Sequence, residues 1–255
     1  MRIPFTFRHW ALVIGHWSFA LCVFAQTPAD EPKPAKLRFL FLNETPGSYS
    51  LKIGADYRPI SSAPYAISPP VTLQPKGRLE IFQIAPLPDP VTGKKEWIKV
   101  ANITPPAGIV SALVVVSPIP PAPNSTDAPT CDVTFFDTDA RAFPAGGIRV
   151  INLGRAQLGA QFDKAPPLVL QPGETRIVSP TPDAKNRTVA RIAVHEGENW
   201  RLLSNKIVLL RPDQRMTGVF VYSPSGLLHT YTKEELAEFG KPVPGHFWLT
   251  YTDTP

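Results

Sequence analysis

Of the five histidines in this 255-residue chain, His195, His229 and His246 are the ones placed for acid–base or metal chemistry, because His9 and His16 lie in an apolar amino-terminal run. His195 and Glu196 sit in VHEGENW, where Gly197 marks a hairpin tip. A zinc protease needs a second histidine one helical turn after the first, and none follows, so the pair reads as a solvated turn. Ser223 and Ser225 in YSPSG lack the glycine-flanked serine of a hydrolase elbow, and Ser117-Pro118 repeats the Ser-Pro without a following glycine. The two glycines of GRAQLG (154–159) have phosphate-loop spacing, but Ala160 and Gln161 stand where a lysine and a hydroxyl belong. Asp89, Asp137, Asp139 and Asp213 are scattered without calcium-loop spacing. No catalytic, cofactor-binding or metal-ligating residue is therefore assigned, and no cofactor is expected. Cys131 has no adjoining histidine or basic residue and reads as a small buried hydrophobe.

Aromatic side chains are the remaining route to ligand binding. Trp97 and Trp200 follow matching Gly-and-charge turns, GKKEW and GENW, which suits a residue the fold requires, as core or as cover for a strand face. Trp248 has no counterpart earlier in the chain. Trp248, Tyr251 and Tyr231 are accordingly the candidate ligand contacts.

Those residues must be carried by strands. Apolar stretches run four to eight residues, are rich in Val, Ile, Leu and Phe, and are punctuated by the chain's 31 prolines and 16 glycines, a spacing in which long helices do not persist. The chain also repeats itself. LRFLFLN (37–43) matches IRVINL (148–153), PPVTLQPKGRLEIF (69–82) matches PPLVLQPGETRIV (166–178), GKKEW matches GENW, and PAGIVSALVVVSP (106–118) aligns without a gap on PDQRMTGVFVYSP (212–224). The order is the same in both copies.

The expected organisation is all-β: two tandem immunoglobulin-like β-sandwich units from an internal duplication, residues 37–118 and 130–255, joined by a proline-rich linker at 119–129. The strand SALVVVSP (111–118) is apolar on both faces, as for a central strand. CDVTFF, from Cys131, opens the second unit or bridges the two. TKEELAEFG (232–240) carries a capping box, Thr232 with Glu235, and a terminal Gly240, and predicts one short helix before a final strand, GHFWLTYTD.

Arg2 and Arg8 precede an apolar run from Trp10 to Ala25, ending Val-Phe-Ala, which is the pattern of a secretory signal peptide over 1–25. Residues 26–36 follow as a proline-rich lead-in. The implied setting is periplasmic or extracellular, with membrane attachment only through an uncleaved leader. Without Cys22 the exported chain keeps Cys131 alone, so a hydrophobic core, not a disulfide, must hold it. Once Arg2 and Arg8 are removed, the surplus of basic over acidic residues is small and dispersed, with no lysine- and arginine-rich run interleaved with aromatics. A nucleic-acid partner is therefore not expected.

Two sandwiches behind a leader resemble the periplasmic pilus-assembly chaperones, and PPVTLQPKGRLEIF is similar to the Leu-x-Pro-Gly and alternating-strand passage of their amino-terminal domain. That resemblance implies strand addition from an edge strand to a client, which a proline at Val114 would abolish, and a basic pair in the interdomain cleft, which no motif here locates. The residues themselves point to an exported non-catalytic structural or interaction module whose partner is an envelope or extracellular protein or glycan. An assembly chaperone and a carbohydrate-binding protein are the alternatives.

Overall fold

The computed structural model describes residues 34–43, 47–60, 63–73, 79–85, 87–119, 130–226 and 244–253. The leader, Tyr231, His229 and the expected helix at 232–240 lie outside the described residues. Among the described residues every regular element is a strand, and no helix is long and apolar enough to cross a membrane.

Sixteen strands follow in two sets of eight. The first set is β1 (Ala35–Phe41), β2 (Tyr49–Ile53), β3 (Asp56–Ile60), β4 (Val71–Leu73), β5 (Leu79–Ile84), β6 (Trp97–Ile103), β7 (Ser111–Pro118) and β8 (Cys131–Asp137). The second is β9 (Ile148–Leu153), β10 (Leu158–Phe162), β11 (Leu168–Leu170), β12 (Thr175–Val178), β13 (Arg187–Glu196), β14 (Asn199–Leu209), β15 (Arg215–Ser223) and β16 (Gly245–Asp253). Each set builds two four-stranded sheets: β4-β1-β7-β8 over β3-β2-β5-β6, and β12-β9-β15-β16 over β11-β10-β13-β14. Adding eight to each number of the first set gives the second.

The duplication extends to register. β1 runs parallel to β7 with Lys36 opposite Ser111 and Leu37 opposite Ala112, and β9 runs parallel to β15 with Arg149 opposite Thr217 and Val150 opposite Gly218. The β5–β6 ladder slips by one residue after Ile81, and the β13–β14 ladder slips after Ile192. The residues skipped, Val100 and Leu203, pack into the cores of their own sandwiches. A bulge at the same place in both copies belongs to the fold.

Three sequence expectations need correction. PPVTL and PPLVL are not equivalent: β4 pairs with β1, whereas β11 pairs with β10, and the true counterpart of β4 is β12. A strand followed by a proline-glycine turn recurs wherever the chain reverses, so this likeness follows turn chemistry and not position. Strand order is also not the immunoglobulin one, in which the first two strands are neighbours in one sheet, because β1 and β2 lie in different sheets. Finally, β8 pairs antiparallel with β7, so CDVTFF completes the first sandwich's sheet and the boundary between the sandwiches is not at 119–129.

The crossing between sandwiches is instead the segment 138–147. Phe143, 1% exposed, is held between two buried guanidinium groups, 4.3 Å from Arg149 and 5.3 Å from Arg215 to the ring centroid. Arg149 donates to the carbonyl of Asp137, and Arg215 donates to the carbonyls of Thr138 (2.6 Å) and Phe143 (2.9 Å). Burial holds the Arg149 guanidinium down at about 10, the nearby Asp137 opposing that shift and Arg215 adding to it. These contacts satisfy carbonyls that a tight buried bend would otherwise leave without donors.

Each sandwich has its own apolar interior, and a third cluster joins them. Leu40, Leu113, Val115 and Phe136 of the first sandwich meet Ile151, Val219 and Val221 of the second, with Phe247, Leu249 and Tyr251 around them. The sheets containing β7 and β15 are thus buried on both faces, which explains why SALVVVSP carries apolar residues at both parities.

Candidate interaction surface

Alternation along β16 places two of the candidate ligand contacts on opposite faces. Trp248 turns inward and packs against the core of the second sandwich, while Tyr251 turns toward the first sandwich. The Tyr251 hydroxyl donates to the carbonyl of Tyr65 at 2.5 Å, and burial pushes its pKa upward. The two rings form no common platform, and Tyr231 lies outside the described residues.

His246, also on β16, stacks on Phe220 and approaches Glu196 with Nδ1 at 3.4 Å from Oε1. Glu196 is committed elsewhere. Arg201 donates to both of its oxygens at 2.7 and 2.8 Å, and this paired contact holds the carboxyl down near 2. The His-Glu pair is therefore split: Glu196 clamps the β13–β14 hairpin, and His195 contacts Trp200 with centroids 5.0 Å apart. Among the described residues no three His, Cys, Asp or Glu side chains gather as a metal set.

A cleft of about 1370 Å³ lies along the seam between the sandwiches, with Lys36, Arg38, Arg141, Arg215 and Asp253 among its lining. Asp253 pairs with Arg38 at 2.7 Å and lies 3.6 Å from Arg215, whose guanidinium also holds the 138–147 segment. These charges brace the seam.

The surface that presents apolar side chains to solvent is the outer pair of sheets. Trp97 and Trp200 are register equivalents, opposite Ile84 and His195, and each faces outward from its sandwich. Trp97, 38% exposed, stacks on Tyr57 with centroids 4.5 Å apart and planes 10° from parallel, above Phe82. Trp200 reaches over Gly159, where a Cβ would lie 2.9 Å from the indole. Glycine there lets the ring lie close to the sheet.

β14 extends this surface. It is the longest strand and an edge of its sheet, and among the described residues no strand pairs with its other flank. Four of its apolar side chains stand in solvent: Trp200 (46%), Leu202 (59%), Ile207 (62%) and Leu209 (61%). The bulge at Leu203 explains why they share a face, because it restores parity between Trp200-Leu202 and Asn205-Ile207-Leu209. Strict alternation hides this row in the sequence. A break of parity within WRLLSNKIVL was the available signal.

No protein-family model matches the chain, and no curated protein matches it. Among solved structures, the chain is similar to the crystal structure of a "putative cell adhesion protein" from Bacteroides eggerthii DSM 20697, at 9% identity with a TM-score of 0.21, covering 88% of this chain and 98% of that one.

Proposed function

We propose that this chain is an exported, non-catalytic interaction module that engages an envelope or extracellular protein through the β14 edge. The observation that carries the reading is the row Trp200, Leu202, Ile207 and Leu209, apolar and more than two-fifths exposed on a strand whose outer flank pairs with no other strand among the described residues. Proteins normally blunt such edges with charge, proline, bulges or short strands; β14 carries Arg201, Lys206 and a bulge, but its length and its exposed apolar row leave it suited to strand addition. The leader pattern at 1–25 supports export. The strand-addition reading suggested by the chaperone resemblance moves to β14, because Val114 lies on β7, a central strand between β1 and β8.

The test is to express the full chain with its leader, recover the exported protein, immobilise it and identify what it retains from envelope and secreted fractions. An envelope or extracellular protein bound by the native chain and lost with Leu202→Lys or Ile207→Lys is the expected result. Retention indifferent to both substitutions, or no retention, overturns the reading.

The near-parallel stack of Trp97 on Tyr57 favours a second reading, glycan stacking on the first sandwich. Loss of glycan binding on Trp97→Ala, measured by calorimetry, would support it, and absence of any glycan binding removes it.

A further inference from the structure

We infer that the partner of the β14 edge is a second copy of this chain, bound antiparallel about a two-fold axis at Asn205; this rests on the interaction reading above. A two-fold interface must be self-complementary, since each copy offers the same patch. The outward row of β14 reads Trp200, Leu202, Asn205, Ile207, Leu209, which is apolar, apolar, polar, apolar, apolar in either direction. With Asn205 opposite itself and Leu203 bulged out, as it already is against β13, Ile207 faces Leu202 of the second copy and Leu209 faces Trp200. Every apolar side chain of the row then meets another, and the two Asn205 amides meet at the centre.

The opposite face of the strand agrees. The same register sets Lys206 against Ser204 and Arg201 against Val208, so no like charges stand directly across the pair. The competing two-fold registers, centred on Lys206 or on Ser204, would set Lys206 against Lys206 or against Arg201 and Asn205 against an apolar side chain, which favours the alignment on Asn205. Each copy's bulge at Leu203 falls opposite the Lys206–Ile207 step of the other, the same two-against-one arrangement that the Ile192–Ala193 step of β13 already accepts.

Analytical ultracentrifugation of the protein recovered after expression of the full chain should show a monomer–dimer equilibrium. Ile207→Lys should weaken it at least about tenfold, roughly the loss of one well-packed contact. Circular dichroism of Ile207→Lys should match the native protein, and so should its unfolding midpoint at a concentration low enough for both to be monomeric, since association itself raises the midpoint; if that variant does not fold, Leu209→Lys replaces it. Register is tested in a Cys22→Ser, Cys131→Ser background. Asn205→Cys should cross-link to itself on mild oxidation, whereas Leu209→Cys should not, because the two Leu209 positions lie at opposite ends of the paired strands. A protein that stays monomeric from micromolar to millimolar concentration overturns the proposal. So does a dimer indifferent to both lysine substitutions, or equal cross-linking at the two cysteine positions. A monomer that still retains an envelope protein through Ile207 overturns self-pairing alone, and a monomer that retains nothing overturns both readings.

Discussion

Gly218 on β15 clears the space that the indole of Trp248 on β16 occupies, and a Cβ at that glycine would overlap the ring. Both residues face the core of the second sandwich, and the corresponding position in the first is Ala112. Gly218→Ala should therefore destabilise the protein by about 1–3 kcal/mol through overpacking, read as a lower midpoint in urea with an unchanged slope. Ala112→Gly, which opens space without a clash, should cost less, about 1 kcal/mol, as glycine does in a strand interior.

The ring of Phe143 between Arg149 and Arg215 holds the segment joining the sandwiches. Truncation to alanine removes a buried aromatic and leaves two guanidinium groups facing a cavity. Phe143→Ala should cost about 3–5 kcal/mol in chemical denaturation. Arg141→Ala, a side chain 95% exposed two residues away, should change stability little.

Glu196 provides a pH signature. Its carboxyl is lowered from 4.5 to about 2, first by the hydrogen bonds from Arg201, which outweigh the opposing effect of burial, and then by the charge of Arg201 and the contact with His246. Because the folded value is depressed, the clamp contributes stability that is fully present above the unfolded value and is lost as pH falls from about 4.5 to 2. The side chain is 41% exposed, so solvent screening keeps the contribution small. Carboxyl chemical shifts should give a midpoint near 2, and Arg201→Gln should return it toward 4.5.

Cys131 on β8 is half-buried against the first core, and burial pushes its thiol up, partly offset by a hydrogen bond with Thr130. A raised pKa lowers the thiolate fraction at mildly alkaline pH. Alkylation of the folded protein should thus be slower than that of the same chain in urea, measured by mass spectrometry over time. Equal rates would place Cys131 in solvent.

Strand content and the twofold repeat were legible because both are written in short-range pattern. The match of PAGIVSALVVVSP to PDQRMTGVFVYSP holds in space down to Ser111 and Thr217, whose partners are Lys36 and Arg149. Placement of strands within sheets was less legible, as β4 and β11 show, since identical turn chemistry serves any two antiparallel strands. The linker was misplaced because proline content marks extended backbone, not a boundary between cores. The crossing at 138–147 has ordinary composition, and what identifies it is a pair of arginines that become neighbours only on folding. The β14 row escaped for a related reason: a bulge inserts one residue into the alternation, and parity read along the sequence then assigns Ile207 and Leu209 to the wrong face.

The seam between the sandwiches has one more consequence. Leu113 and Val115 of the first sandwich meet Val219 and Val221 of the second, and these are register equivalents, as are Phe136 and Leu249, the residues across from Leu113 and Val219. One patch, carried twice, is buried against itself. A single sandwich would have to find a twin in solution to cover it, at the mercy of dilution; here the ten residues between Asp137 and Ile148 keep the twin permanently within reach. Structurally the chain is a homodimer made monomolecular by fusion.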